Sequence, residues 1–282
     1  MVVRTAELYR KARASGYAIG AFNVSTLEAI KAIINAANRL NSPVVIETSE
    51  KEMDYLEAGL VVDIIKELAE KLAIPVGIHL DHGKSFESIE KAVKAGYTSV
   101  HFDGSLLPFD ENVSITKEVV AYARNHNVSV EAELGKIPGS SQMHEEKLEI
   151  SEDSLTDPVE AQKFVDETGI DILAVSIGNT HGIYSNEPKL DIIRLEELNH
   201  LGIPMALHGG SGIPEGQIKD AIEHGVAKVN VNTELRVAYT DTLRHELSDK
   251  PEEIVPYEFL PEEISAIEEI VEGKIKLFGS NK

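Results

Sequence analysis

Three of the ten histidines, His82, His181 and His208, each follow an apolar run and stand next to glycine. The stretches are Asp81-His82-Gly83, Thr180-His181-Gly182 and His208-Gly209-Gly210. Three neutral imidazoles with a fourth position left open make a catalytic zinc site. The chain has no cysteine, which removes thiolate nucleophiles, disulfides and Cys-ligated metals, so a transition metal here must be held by His, Asp or Glu. Asp81, beside His82, is placed either to orient an imidazole or to act as a general acid/base next to a metal. Asp103 and Glu133 are carboxylates at two further run ends, fit for a second metal position or for hydrogen bonds to the ligands. His126, His144, His200, His224 and His245 fall in helical or loop patterns and read as ordinary packing or surface residues. His79 precedes His82 by three residues, a spacing that puts two strand side chains on opposite faces. It is therefore expected to pack toward the helices or to donate a hydrogen bond to a ligand, and packing is the expectation for His101 as well.

A second kind of chemistry sits at Gly209-Gly210-Ser211-Gly212. A glycine-rich turn that opens a helix presents backbone N–H groups and a positive dipole end, which suit phosphate. Asn230 and Thr233, in the next polar stretch, can add side-chain donors.

These residues need elements to carry them, and the chain supplies a regular alternation. Apolar, β-branched runs read as strands at 17–23, 43–48, 75–80, 99–102, 128–133, 172–176, 204–208 and 227–231. Nearly continuous apolar character suits parallel strands buried on both faces. Between them lie amphipathic helical patterns at 26–40, 55–72, 85–95 and 215–224, the last ended by Gly225. Eight such units in one chain of 282 residues point to the α/β class and a (β/α)8 TIM barrel, a single domain over 1–282. In that architecture function gathers at the C-terminal strand ends, and phosphate binds after strands seven and eight. Both groups of residues fall there. The segment 251–282 adds a C-terminal helical part, amphipathic over 264–278, suited to packing or to an oligomer contact.

The composition narrows the partners. Formal net charge is −21, which disfavours nucleic acid, whose phosphates need Lys and Arg. The N-terminal stretch is too polar for a secretory signal, and no run approaches the roughly 18 apolar residues of a membrane span. A soluble, cytoplasmic protein with no membrane partner is expected.

The stretches 79–83 (HLDHG), 103–105 (DGS), 130–135 (VEAELG), 177–184 (IGNTHGIY), 206–214 (ALHGGSGIP) and 228–234 (KVNVNTE), in this order, resemble the class II, metal-dependent ketose-bisphosphate aldolases. The likeness extends from Tyr17–Asn23 to the terminal Lys276–Ser280. It implies a catalytic Zn2+ on His82, His181 and His208, with Asp81 as proton donor and acceptor. It implies that Asn23, Gly182, Gly209, Gly210, Ser211, Asn230, Val231, Asn232 and Thr233 surround the phosphorylated ketose. Asp103 and Glu133 match the family's alternate metal positions, where a second divalent or a monovalent cation would sit. The implied reaction is reversible aldol cleavage of fructose 1,6-bisphosphate to dihydroxyacetone phosphate and glyceraldehyde 3-phosphate, in glycolysis, by a homodimer or homotetramer. Tagatose-bisphosphate and deoxy-keto-gluconate-phosphate aldolases share the pattern. No Schiff-base lysine is needed.

Two stretches depart from that pattern. The family's acidic loop after strand five is replaced by Lys136-Ile137-Pro138-Gly139-Ser140-Ser141-Gln142-Met143-His144-Glu145-Glu146, where only Glu145 and Glu146 remain as candidates for moving the C1 proton. Ile264 stands where an Arg for the far phosphate is usual, leaving Arg194, Arg236 or a basic residue from a neighbouring subunit to replace it. Two rival readings are weaker. A TIM-barrel zinc hydrolase would start with two histidines at the end of strand one, where this chain has Phe22-Asn23. A non-catalytic phosphate-binding protein would not need three histidines together.

Overall fold

The computed structural model describes residues 1–281; Lys282, the last residue of the expected 1–282 domain, lies outside the described residues. The strands are β1 (Ile19–Asn23), β2 (Val44–Ser49), β3 (Val76–Gly83), β4 (Ser99–Phe102), β5 (Ser129–Leu134), β6 (Gly139–Met143), β7 (Ile172–Val175), β8 (His181–Ile183), β9 (Met205–Leu207) and β10 (Val226–Val231). Eight of them close a barrel in the order β1-β10-β9-β7-β5-β4-β3-β2, every neighbouring pair parallel. Helices follow the barrel strands, as a (β/α)8 barrel requires.

The helix boundaries have local causes. The Thr26 side chain accepts from the Ala29 N–H and starts the helix Leu27–Arg39, and Ser85 does the same for Phe86–Ala95 by accepting from Ser88, each an N-cap. The pattern read as one helix over 55–72 is two, Glu50–Leu56 and Ala58–Glu70, because Glu57 takes φ 61 and so breaks the helical path. The first of these is capped by Ser49, the last residue of β2, which ties the helix to the barrel mouth.

Alternation in the strands sorts chemistry from packing. Ile46, Ile78, Leu80, Val100, Phe102, Val130, Ala132, Leu134, Val229 and Val231 belong to the large core between strands and helices. Their alternates Glu47, His79, Asp81, His101, Glu131, Glu133, Lys228 and Asn230 are buried too, on the inner face. The lower barrel is filled by Ile19, Ala21, Val45, Ile172, Ala174 and Ala206, with Tyr9 from the helix Ala6–Ala14 packed among them. The C-terminal helix Pro256–Phe278 lies against Leu27–Arg39 and Thr233–Asp249. It buries Ile267, Val271, Ile275 and Phe278, a stripe at helical spacing worth about 1.5–3 kcal/mol per side chain.

Candidate active site

The upper inner face of the barrel opens into a cavity of about 550 Å3. Asp81, His82, Asp103, Glu133, His181 and His208 all line it. So do Asn23, Gly182, Gly209, Ser211, Asn230, Asn232 and Thr233. Two residues expected to bind substrate do not line it. Val231 is turned into the outer core, and the Gly210 N–H is committed to the Asn230 carbonyl at 2.8 Å. A neighbouring hollow of about 670 Å3 lies behind the wall made by Gly182 and Ser211 and holds none of the three histidines.

The three imidazoles converge. The His82 ring centroid is 4.8 Å from that of His181 and 4.6 Å from that of His208. His82 Nε2 and His208 Nδ1 lie 3.0 Å apart. The far nitrogen of each ring is held by a carboxylate: His82 Nδ1 by Asp103 Oδ2 at 3.0 Å, His208 Nε2 by Glu131 Oε1 at 2.7 Å. Those carboxylates accept N–H bonds, which leaves the facing nitrogens to carry lone pairs or share one proton. Asp81 Oδ1 lies 3.8 Å from His82 Nε2 and 3.7 Å from His208 Nδ1. Asp81, His82, His101 and His208 thus form one group able to hold a metal ion, and His82, Asp103 and Glu133 form another. His181 belongs to neither group and stands at the rim of the first.

His82 reaches this position by breaking its strand. It takes φ 49, and the β3–β4 register shifts between Leu80 and Gly83. This corrects the expectation for His79. His82 no longer obeys strand parity, so both histidines face inward. His79 is fully buried, with Nδ1 2.8 Å from Ser99 Oγ and Nε2 3.2 Å from Lys228 Nζ. His101 is corrected as well: its Nδ1 accepts the His82 backbone N–H at 3.2 Å, and its ring lies 4.7 Å from that of His82.

The electrostatics favour a cation. Burial pushes the His82 imidazole down, but Asp81, Asp103 and Glu133 together outweigh it and hold its pKa up at about 10. Burial and then the charge of His82 push His181 down to about 4. Burial pulls His101 down to about 3 against the pull of Glu131. The Glu133 carboxyl is raised to about 8 by burial and by Asp103. Burial would raise Asp81, yet His82, His208 and Lys228 hold it well below the usual carboxylate range. The pocket therefore keeps a carboxylate ionised and binds positive charge at the seam between two imidazoles. A divalent cation fits that donor set and that charge.

Asp81 is held by two amides, Asn23 Nδ2 at 3.1 Å and Asn230 Nδ2 at 3.2 Å. Asn23 in turn reaches Glu52 Oε2 at 3.2 Å, and Glu52 Oε1 accepts from Arg236 Nη2 at 2.6 Å. Gly209 has φ +67, and a methyl group there would run into the Thr180 carbonyl, so only glycine carries the chain close under this wall.

The departing segment 136–146 contains β6, which pairs with β8, the strand that begins at His181. Residues Lys136 to Gln142 cover the cavity. Neither Glu145 nor Glu146 lines it, and Glu146 Oε1 lies 3.6 Å from His144 instead. Ile264 packs against the main core. Arg194 is bound to Glu152, Asp191 and the Thr156 carbonyl, away from the cavity, whereas Arg236 lines it. Sequence reading missed Glu47, Glu131 and Lys228, the buried ionisable groups below the site. Their signal was a charge at an inner-face position in an otherwise apolar run.

The chain matches the family model described as fructose-bisphosphate aldolase class-II over residues 3–282. It is 44% identical to the probable fructose-bisphosphate aldolase of Bacillus subtilis (strain 168), over 99% of this chain and 98% of the relative. It is 42% identical to the fructose-bisphosphate aldolase of Staphylococcus aureus (strain N315), again over 99% and 98%. The crystal structure of the YdjI aldolase from Escherichia coli K12 superposes with TM-score 0.87 at 34% identity, covering 100% of this chain and 98% of that one. That of a putative fructose-1,6-biphosphate aldolase from Coccidioides immitis superposes with TM-score 0.88 at 31% identity, covering 99% and 96%.

Proposed function

The chain belongs to the class-II fructose-bisphosphate aldolase family, a family of lyases, and from that premise we propose that it cleaves fructose 1,6-bisphosphate reversibly to dihydroxyacetone phosphate and glyceraldehyde 3-phosphate. We further propose that Zn2+ is held by His82, His181 and His208. The observation that carries the metal assignment is the pair of facing nitrogens, His82 Nε2 and His208 Nδ1, each backed by a carboxylate on its other side. Asp103 acts first as the orienting partner of His82. Together with Glu133 it is also assigned to the position of a second divalent or a monovalent cation.

When bound, zinc supplies Lewis acidity toward the carbonyl of the substrate. The rest is done by the chain. Asp81, kept ionised and fixed by Asn23 and Asn230, takes the C4 hydroxyl proton as the C3–C4 bond breaks. C4 becomes the aldehyde carbonyl, and the bonding pair passes to C3 and the C2 carbonyl. A proton taken up at C3 completes dihydroxyacetone phosphate, and condensation runs the same steps backwards. Gly209 and Ser211, with the N-terminus of the helix Thr233–Asp249, receive the C1 phosphate through backbone donors. Asn232 and Thr233 supply side-chain donors, Asn230 lines the same wall while its amide holds Asp81, and Gly182 closes it; Gly210 and Val231 act through backbone shape. Remote phosphate binding aligns the bond to be cleaved. Lys228 is no Schiff-base nucleophile. Burial would favour its neutral amine, but Glu131 and Glu47 hold the ammonium form, and the side chain has no exposed surface.

The same reading makes 1–282 one aldolase domain, working in cytoplasmic sugar-phosphate breakdown as a homodimer or homotetramer. Cleavage of fructose 1,6-bisphosphate by the zinc-loaded protein, abolished by a chelator and restored by Zn2+, tests it. Cleavage that survives chelation with no metal left on the protein would sink it.

A further inference from the structure

Below the cavity a second set of ionisable groups runs down the barrel axis. Lys228 Nζ lies 2.9 Å from Glu131 Oε2 and 3.2 Å from Glu131 Oε1, 3.2 Å from His79 Nε2 and 3.4 Å from Glu47 Oε2. Lys228, Glu131, Glu47 and His79 are all fully buried. In the barrel ladder Lys228 stands beside Ile19 on one side and Ala206 on the other, so its cation is surrounded by apolar packing and these few partners. A buried ion pair of this kind is poor value for stability, since apolar residues of the same volume often do as well. Its geometry is informative instead. Glu131 Oε1 accepts from His208 Nε2 at 2.7 Å and from Lys228 Nζ. Two donors from different strands fix the plane of that carboxylate, and the carboxylate fixes the His208 ring.

We infer that Lys228 is a positioning residue for the metal site: it locks Glu131, and through Glu131 it aims His208 Nδ1 at His82 Nε2. The inference rests on the assignment of His208 as a metal ligand. Its strand strengthens it. Asn230, two residues along β10, places its Nδ2 3.2 Å from Asp81 Oδ1 and 3.3 Å from His208 Nδ1, so one strand sets both the base and the ligand. Losing a partner that orients a ligand costs about 10–100-fold in metal affinity.

The test is Zn2+ affinity by competition with a chromophoric chelator, on the full chain, for wild type, Lys228→Met and His208→Ala. Methionine keeps the unbranched stem and removes the donors. We expect zinc affinity to fall by about 10–100-fold in Lys228→Met, with cooperative unfolding of the metal-free protein retained. Adding Glu131→Gln to Lys228→Met should cost no more zinc affinity than the larger single loss, because both act along one chain of contacts. Zinc affinity within twofold of wild type in Lys228→Met, beside weak binding in His208→Ala, overturns the positioning role alone. Undiminished binding in His208→Ala overturns the metal-site reading itself. If Lys228→Met does not fold, Lys228→Met/Glu47→Gln, which leaves one fewer unpaired carboxylate, takes its place. Failure of both to fold makes Lys228 a structural anchor and also overturns the inference.

Discussion

His82 Nε2 and His208 Nδ1 face each other at 3.0 Å across the mouth of the barrel, from strands far apart in the chain and with a carboxylate behind each ring. Two basic nitrogens held that close repel unless something positive lies between them. In the metal-free protein that is a proton, which the carboxylates around His82 retain up to about pH 10. A metal ion that replaces it must release it.

The first prediction follows. His82→Ala and His208→Ala should each reduce bound zinc to below about a tenth of the wild-type content, measured by elemental analysis after gel filtration. Chelation of the wild type should lower its melting midpoint by roughly 5 °C, since a ligand bound at 100–1,000 times its Kd contributes about 3–4 kcal/mol. An unchanged midpoint would mean that the folded chain has no tight site.

Asp81 contributes differently. Its oxygens are 3.7–3.8 Å from the two imidazole nitrogens, beyond hydrogen-bond reach, and its contacts are the amides of Asn23 and Asn230. Asp81→Ala should therefore keep its zinc and lose about 10²–10⁴-fold in kcat, with KM little changed. Parallel loss of zinc and turnover would make Asp81 a ligand rather than the base.

All eight barrel strands were legible in the sequence, because each apolar run is short and bounded by polar or glycine residues. His82, His208 and Asp81 were legible as residues at barrel-strand ends, whereas His181 lies six residues beyond the end of β7, at the start of β8. The position of His79 was not, because parity reasoning fails at a left-handed residue and nothing in Asp81-His82-Gly83 announces φ 49 at His82. The network of Glu47, Glu131 and Lys228 was hidden because a strand such as Val226–Val231, where Lys228 and Asn230 alternate with apolar residues, reads equally well as one with a solvent-facing side. The pairing of β6 with β8 was out of reach: Gly139–Met143 has no apolar pattern, and its partner is a three-residue strand.

That pairing decides the third prediction. It pins the segment so that Lys136 to Gln142 cover the cavity while Glu145 and Glu146 fall outside its lining. Changing both to Gln should leave exchange of the C1 proton of dihydroxyacetone phosphate with solvent within about twofold of the wild-type rate, read by proton NMR in deuterated buffer. A large drop would show that the segment rearranges over bound substrate and delivers one of these carboxylates.

The fourth prediction concerns the far phosphate. Ile264 lies in the helix packing, and Arg194 is tied down elsewhere, which leaves Arg236 as the arginine on the cavity wall. It is less than half exposed, with Nη2 2.6 Å from Glu52 Oε1 and Nη1 3.3 Å from the Ser141 carbonyl. A guanidinium in that place can do two things. It can receive the C6 phosphate as a charge-assisted pair, or it can hold Glu52, which holds Asn23 and thereby Asp81. The two roles separate kinetically. If Arg236 binds the phosphate, Arg236→Met should raise KM for fructose 1,6-bisphosphate by about tenfold to a hundredfold, the equivalent of roughly 1.5–3 kcal/mol, and leave fructose 1-phosphate unaffected, because that substrate has no second phosphate to lose. If Arg236 acts through Glu52, kcat should fall for both substrates alike and Glu52→Gln should reproduce the loss. We expect the first pattern. The cavity lining also carries Lys84 and Lys136, two further cations for an anionic substrate, whereas Glu52 keeps its bonds to Ser49 N and Oγ at 2.8 and 2.9 Å without help from Arg236. Equal losses in kcat for the two substrates would remove Arg236 from the phosphate site and leave the lysines to hold it.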